Sequence, residues 1–258
     1  NVGIGSGCMR LNTTGTRNTA VGTGVYGSTH GALSANTTGT RNTAFGNQAL
    51  LNNTTANNNT AIGAEALAAN TTGTDNVAVG KDALLANTTA SYNVAIGVGA
   101  GDALTTGAQN IAIGKAALTS ATTAAYNTGV GYRSLLSVTD SQYNTAFGYE
   151  TVRSTTTGNN NIGIGAFALY ENTTASDNVA VGRNALKLNT TGASNTAVGT
   201  WALDANTTAS NNTAFGTSAL SDNETGEYNT AVGSYALDAN TTGGNNSCFG
   251  VNALGANT

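Results

Sequence analysis

The sequence predicts an all-β chain: a parallel β-solenoid, or β-roll, of 15 turns of 17 residues. Three observations predict it. One unit, Asn195-Thr-Ala-Val-Gly-Thr-Trp-Ala-Leu-Asp-Ala-Asn-Thr-Thr-Ala-Ser-Asn211, recurs with small changes throughout the 258 residues. Numbered from its Asn, slot 1 falls at fifteen positions from Asn1 to Asn246, and every interval is 17 residues except one of 24 between Asn18 and Asn42. Within each unit, large apolar, small and turn-forming residues return at fixed slots. A fixed period of this kind marks a stacked architecture, in which each unit borrows its neighbours to bury its apolar face.

Slots 2 to 4 read Thr/Val/Ile, Ala/Gly, Val/Ile/Phe. This alternation with β-branched enrichment predicts a short strand, ended by the glycine that fills slot 5 in all fifteen units. That glycine predicts a positive φ or a close approach to a neighbouring chain. Slot 9 is Leu in twelve units, and slot 4 is always a large apolar residue. These two columns are the expected core. Slot 3, always small, is then expected on the opposite strand face, beside a neighbouring chain or sheet.

Slots 12 to 14 read Asn-Thr-Thr in most units, as at Asn70-Thr71-Thr72 and Asn206-Thr207-Thr208, and predict a second strand. Stacked in register, Asn side chains can bond up and down their own column. The absence of Pro suits a backbone whose N–H groups are needed for ladders. Two departures stand out. Seven extra residues at about 25–31 predict a surface loop, carrying Tyr26 and the single histidine, His30. From Asn93 to Asn161 the slot-12 Asn is replaced by Leu104, Ala121, Val138 and Thr155.

The whole of 1–258 reads as a single repeat domain, and its abrupt limits as an excerpt of a longer chain. Charged residues make up 9 %, the formal charge is −4, and no Lys/Arg run could neutralise a phosphate backbone. Nucleic acid is therefore not an expected partner. No apolar run approaches the roughly 20 residues of a spanning helix, so no membrane insertion is expected in this segment. Cys8 and Cys248, fourteen turns apart at about 4.8 Å per turn, stand too far apart for a disulfide.

One histidine, two distant cysteines and scattered carboxylates assemble no nucleophile with a base, so no enzyme is expected. Asp recurs too irregularly for calcium cages, and the glycines follow the 17-residue register rather than a nucleotide fingerprint; no metal and no cofactor are expected. Variation concentrates in slots 6, 7, 10, 16 and 17, which are expected to face solvent. Tyr132, Tyr149, Phe167, Tyr170, Trp201 and Tyr235 occupy such slots, with Asn184, Asp204 and Asp238 nearby. Aromatic faces beside polar donors suit sugar rings, and packing between adjacent turns is the alternative.

Asn76-Val-Ala-Val-Gly80, Asn93-Val-Ala-Ile-Gly97 and Asn178-Val-Ala-Val-Gly182 resemble the head repeats of YadA-like trimeric autotransporter adhesins. The longer Asn-Thr-Ala-Val-Gly…Ala-Leu…Asn-Thr-Thr-Gly form resembles repeats of bacteriophage tail fibres and tail-fibre-like bacterial surface proteins. The resemblance spans the chain and implies a homotrimer, three chains side by side in a fibre. It also implies an extracellular place on a virion tail or bacterial surface. The recurring Asn-Thr-Thr triplets favour a bacterial or viral source, since a eukaryotic secretory pathway would glycosylate a stacking column. The expected function is thus a structural and adhesive fibre segment contacting host glycans or a cell-surface receptor. An ice-binding solenoid, suggested by Thr in slot 13, and a ligand-free spacer are the alternatives.

Overall fold

The computed structural model describes residues 1–23 and 30–256. It is all-β: fifteen parallel strands of three residues form a β-solenoid, one strand per unit at slots 2 to 4. The chain divides into two compact units, 1–127 and 128–258. In the first, strands from β1 (Val2–Ile4) to β7 (Ile111–Ile113) pair in chain order, each with the next. In the second, β8 (Thr128–Val130) to β15 (Ser247–Phe249) do the same. The register is slot on slot throughout, as between Ala197 and Ala214.

Two expectations about the cross-section are corrected. The core is built from slots 3, 8 and 9: Ala197, Ala202 and Leu203 have no exposed surface, whereas slot 4 points outward and Phe215 is 55 % exposed. Alternation fixed that slots 2 and 4 share one face and slot 3 takes the other, but not which face is inside. Space decides it. A 17-residue turn leaves an interior wide enough for one Leu packed on Ala, and two further β-branched columns would not fit beside it. Slot 3 is consequently closed within its own turn and is not an inter-chain contact.

The second correction concerns slots 12 to 14, which form a bend rather than a strand. Hydrogen bonds still join it to its neighbours, since Thr190 donates to the Thr207 carbonyl from both its N–H (2.8 Å) and its hydroxyl (2.9 Å). Two buried Asn columns flank this bend. In slot 1, the Asn195 N–H donates to Asn178 Oδ1 (2.9 Å) and Asn195 Nδ2 donates to the Ala209 carbonyl (2.8 Å). In slot 12, Asn206 Nδ2 donates to Asn189 Oδ1 (2.8 Å) and to the same Ala209 carbonyl (3.0 Å). Where slot 12 is Asn, the slot-15 carbonyl thus closes the turn by accepting from both columns, and burial of the amides costs little because their partners come from the stack.

The remaining corners use left-handed backbone. Slot 5 glycines have φ near that of Gly199, 141°, and a Cβ there would run into the Gly216 carbonyl of the next turn. The positive φ expected of this slot is present, and the close approach is to the next turn of the same chain. Slots 7, 9 and 17 also take positive φ, at non-glycine residues such as Trp201 (61°), Leu203 (52°) and Asn211 (61°). Such a conformation is costly for an L-residue. Here it aims the N–H along the stack: Trp201 donates to the Arg183 carbonyl of the preceding turn and Leu203 to the Ala219 carbonyl of the following one, both at 3.0 Å.

The substituted slot-12 positions Leu104, Ala121, Val138 and Thr155 are all fully buried. They continue the column as core residues. Of the insertion at about 25–31, residues 24–29 with Tyr26 lie outside the described residues. His30, just after them, is exposed.

Candidate functional site

Slots 6, 7 and 10 stack into neighbouring surface columns, because each turn places them directly over the turn before. In the second unit those columns carry the aromatic and cationic side chains, and they form two arrangements with different chemistry.

The first is a closed cluster. Tyr132 stacks on Tyr149 with ring centroids 5.2 Å apart and an interplanar angle of 19°; Tyr149 meets Phe167 edge-on at 5.3 Å, and Phe167 meets Tyr170 at 5.7 Å. Guanidinium groups cover both ends of this row, Arg133 lying 5.0 Å from the Tyr132 centroid and Arg153 5.1 Å from that of Tyr170. Arg153 Nη1 also donates to the Tyr170 hydroxyl (3.1 Å). Glu150, only 8 % exposed, sits between the two arginines, 3.5 Å from Arg133 and 3.9 Å from Arg153. Four of the predicted ligand-binding rings therefore pack on one another in a row, with Tyr149 still half exposed. This is the packing alternative, and each such pair is worth about 1 kcal/mol.

The second arrangement is open. Arg183, Thr200, Trp201, Thr217, Ser218 and Tyr235 line a cleft of about 340 Å³. Trp201 and Tyr235 both occupy slot 7, two turns apart, and the small Ser218 between them makes the gap. The Arg183 guanidinium lies 5.6 Å from the Trp201 ring centroid, close enough for a cation–π contact. Tyr235 is 47 % exposed. The polar lining is two threonine hydroxyls, a serine hydroxyl and the guanidinium, in place of the Asn184, Asp204 and Asp238 suggested by sequence. No carboxylate lines this cleft.

Arg183, Thr200, Thr217 and Ser218 are the residues that sequence reasoning passed over. Their signal was available: they occupy the same variable slots 6 and 7 as the rings, one turn above or below. His30 belongs to neither arrangement. Another concavity, of about 400 Å³, is lined by Asp140, Gln142, Tyr143, Asn159 and Asn160, but its Asn159 Oδ1 already accepts the Gln142 N–H at 2.6 Å.

Among the described residues no group of three His, Cys, Asp or Glu could hold a metal, and no helix is long and apolar enough to cross a membrane. Cys8 and Cys248 are free thiols, and burial pushes the Cys248 thiol up from its ordinary value. No family model, curated protein or solved structure matches the chain.

Proposed function

We propose that this chain is a structural and adhesive segment of an extracellular fibre, displayed on a virion or bacterial surface, whose Trp201–Tyr235 cleft contacts glycans. The observation that carries this reading is the cleft itself. It offers two aromatic side chains with a gap between them, three hydroxyls and one cation, all on turns held by inter-turn hydrogen bonds. An indole and a phenol supply apolar faces for a sugar's C–H groups, and the hydroxyls supply donors and acceptors for its edge. Since Arg183 brings positive charge and no carboxylate lines the cleft, acidic sugars are the preferred class.

One ring contributes on the order of 1 kcal/mol, so a single cleft binds weakly, and useful attachment needs several copies in one fibre. A trimer of side-by-side chains, as the resemblance implies, belongs to the same proposal. The ice-binding reading is weakened by slot 13, where hydroxyls such as that of Thr190 donate to the backbone of the next turn instead of facing solvent unpaired. A glycan array probed with wild type and with Trp201→Ala/Tyr235→Ala tests the reading. Binding of uronic or sialic acid glycans that disappears in the double variant, with the circular dichroism spectrum unchanged, is the expected result. Equal signals from both proteins would reduce the segment to a spacer.

A further inference from the structure

The outward strand face carries an unbroken apolar column, slot 4, beside a slot-2 column that is Thr or Ser in nine of fifteen units. Across slots 2 and 4 the thirty residues are only Thr, Ser, Val, Ile and Phe, with no charge, amide or Gly, and slot 4 never carries a hydroxyl. An antiparallel sheet that faces water alternates apolar-in with polar-out, and a parallel sheet is commonly covered on both faces. Here the inward slot holds Ala and the larger side chains point out. In the first unit Phe45, Ile62 and Ile96 are 56 %, 41 % and 40 % exposed; in the second Phe147, Ile164 and Phe215 are 46 %, 42 % and 55 % exposed.

We infer that this face is covered by another copy of the chain. It goes further than the assembly part of the proposed function by naming the surface, and it is independent of glycan binding. Three features point to that occupant. The first is period. Val, Ile and Phe side chains project once per turn at the strand spacing of about 4.8 Å, and only a partner with the same spacing keeps its ridges in the grooves over seven or eight successive turns. A second copy has that spacing by construction, whereas a partner of unrelated period falls out of step within a few turns.

The second feature is extent. Eight strands of three residues span roughly 38 by 10 Å in the second unit, and seven, with fewer hydroxyls in slot 2, make a face of similar size in the first. Each falls within the about 300–600 Å² of the largest patch on a typical monomer, a size that is often functional. The third is the border. Slot 17, two residues ahead of the strand, carries exposed Tyr92, Tyr126, Tyr143 and Tyr228 or charged residues such as Asp75 and Asp177. An apolar centre with a tyrosine and charged rim is the anatomy of a protein interface.

The test is mass in solution by light scattering during size exclusion. Wild type is expected at two or more times 25.5 kDa. Ile164→Lys/Phe215→Lys, which alters side chains already exposed in the single chain, is expected at the monomer mass with an unchanged circular dichroism spectrum. A wild type that stays monomeric at all concentrations, or a lysine variant that keeps the wild-type mass, overturns the inference. So would ice-growth inhibition by a monomeric wild type, which would make ice the occupant. A milder variant guards against misfolding: Thr213→Cys on the face should oxidise to a covalent dimer at least tenfold faster than Thr200→Cys off it. Equal rates overturn the inference as well. Trp201→Ala/Tyr235→Ala is expected to keep the wild-type mass, so failure of the glycan reading and failure of this one give different results.

Discussion

Gly101 and Leu104 exchange the volumes that slots 9 and 12 hold elsewhere. Gly101 stands where twelve units have Leu, and Leu104 stands in the column of Asn; a Cβ on Gly101 would lie 3.0 Å from Leu104 Cδ1 and 3.1 Å from Leu84 Cδ2. The Leu104 side chain has thus moved into the space of the missing slot-9 leucine. The exchange also ends a ladder, because Asn87 Oδ1 is buried with no donor where an Asn at 104 would have supplied one. Leu104→Asn alone should cost roughly 2–3 kcal/mol through the cavity it opens. Adding Gly101→Leu, at the φ of 58° that leucines tolerate in this slot elsewhere, should recover most of it. Chemical denaturation of the four proteins gives the coupling, expected above about 1 kcal/mol; additive effects would mean that the two sites repack separately.

An interior rung of the Asn ladder should matter more than its end. Asn206→Ala strips Asn189 Oδ1 of its donor and takes one acceptor from Asn223 Nδ2. Asn87→Ala strips only Asn70 Oδ1 and removes an acceptor that is already unsatisfied. Both destabilise, and the interior change is expected to cost roughly 1 kcal/mol more, within the ordinary range for an orphaned buried acceptor. Hydrogen exchange around each turn checks this, since solenoid damage stays local to neighbouring turns.

Much of this was legible because repetition averages the noise of single residues. Fifteen glycines in slot 5 marked the strand's end, and the recurring Asn marked a column that could satisfy itself. Alternation also grouped Thr196 with Val198 and set Ala197 apart, yet it carried no sign for inside and outside; that choice depends on the width of the turn, which no local pattern encodes. Left-handed backbone at Trp201 and Leu203 was equally hidden, because bulky residues there contradict propensity and are held only by bonds to the turns above and below. The candidate cleft was half visible. Its rings stood out as large residues in variable slots, while Thr200, Thr217 and Ser218 are too common in this sequence to be noticed until stacking brings them together.

Two glycine columns should respond differently to the same methyl group. Gly199 combines φ of 141° with a neighbouring carbonyl that a Cβ would strike. Gly192 lies in slot 15, where Ala175 and Ala209 stand in adjoining turns; a Cβ there would also meet a carbonyl, that of Ala209, but its φ is not left-handed. Gly199→Ala is therefore expected to cost roughly 2–4 kcal/mol. Gly192→Ala is expected to cost less, because it needs only a shift of the Ala209 carbonyl, of a kind the stack already makes where slot 15 is alanine, and no left-handed φ. Comparable melting temperatures for the two variants would refute the distinction.

Asp204 links stability to pH. Its carboxyl is raised above the ordinary value, first by burial and further by the nearby Asp222, against the pull of its own N–H, Lys187 and the Ala205 N–H. Burial raises Asp102 likewise. An acid whose folded pKa exceeds its unfolded one binds protons more tightly when folded, so its contribution falls as pH rises from the unfolded value of 3.8 through the folded one. Asp204→Asn should accordingly raise the melting temperature at pH 7, with the difference shrinking as the pH is lowered towards 4. A pH-independent difference would assign the effect to packing instead of charge.

The two aromatic arrangements should separate by what each loses. Tyr149 touches Tyr132 on one side and Phe167 on the other, so Tyr149→Ala breaks two ring contacts and uncovers the row that Arg133 and Arg153 bracket. It is expected to destabilise by roughly 1–3 kcal/mol while leaving glycan binding at its wild-type level once the fold is intact. Tyr235 makes no such ring pair and stands half exposed beside the gap at Ser218, so Tyr235→Ala should leave the melting temperature within a degree or two and weaken binding. Filling the gap gives the sharper readout. Ser218→Trp would place a third ring between Trp201 and Tyr235 at the φ of 52° that Ser218 already adopts, the same backbone on which Trp201 sits at 61°. It should keep the fold and occupy the space a sugar would use, so binding should fall as far as in the double alanine variant. Undiminished binding by Ser218→Trp would show that the ligand is held elsewhere on the chain.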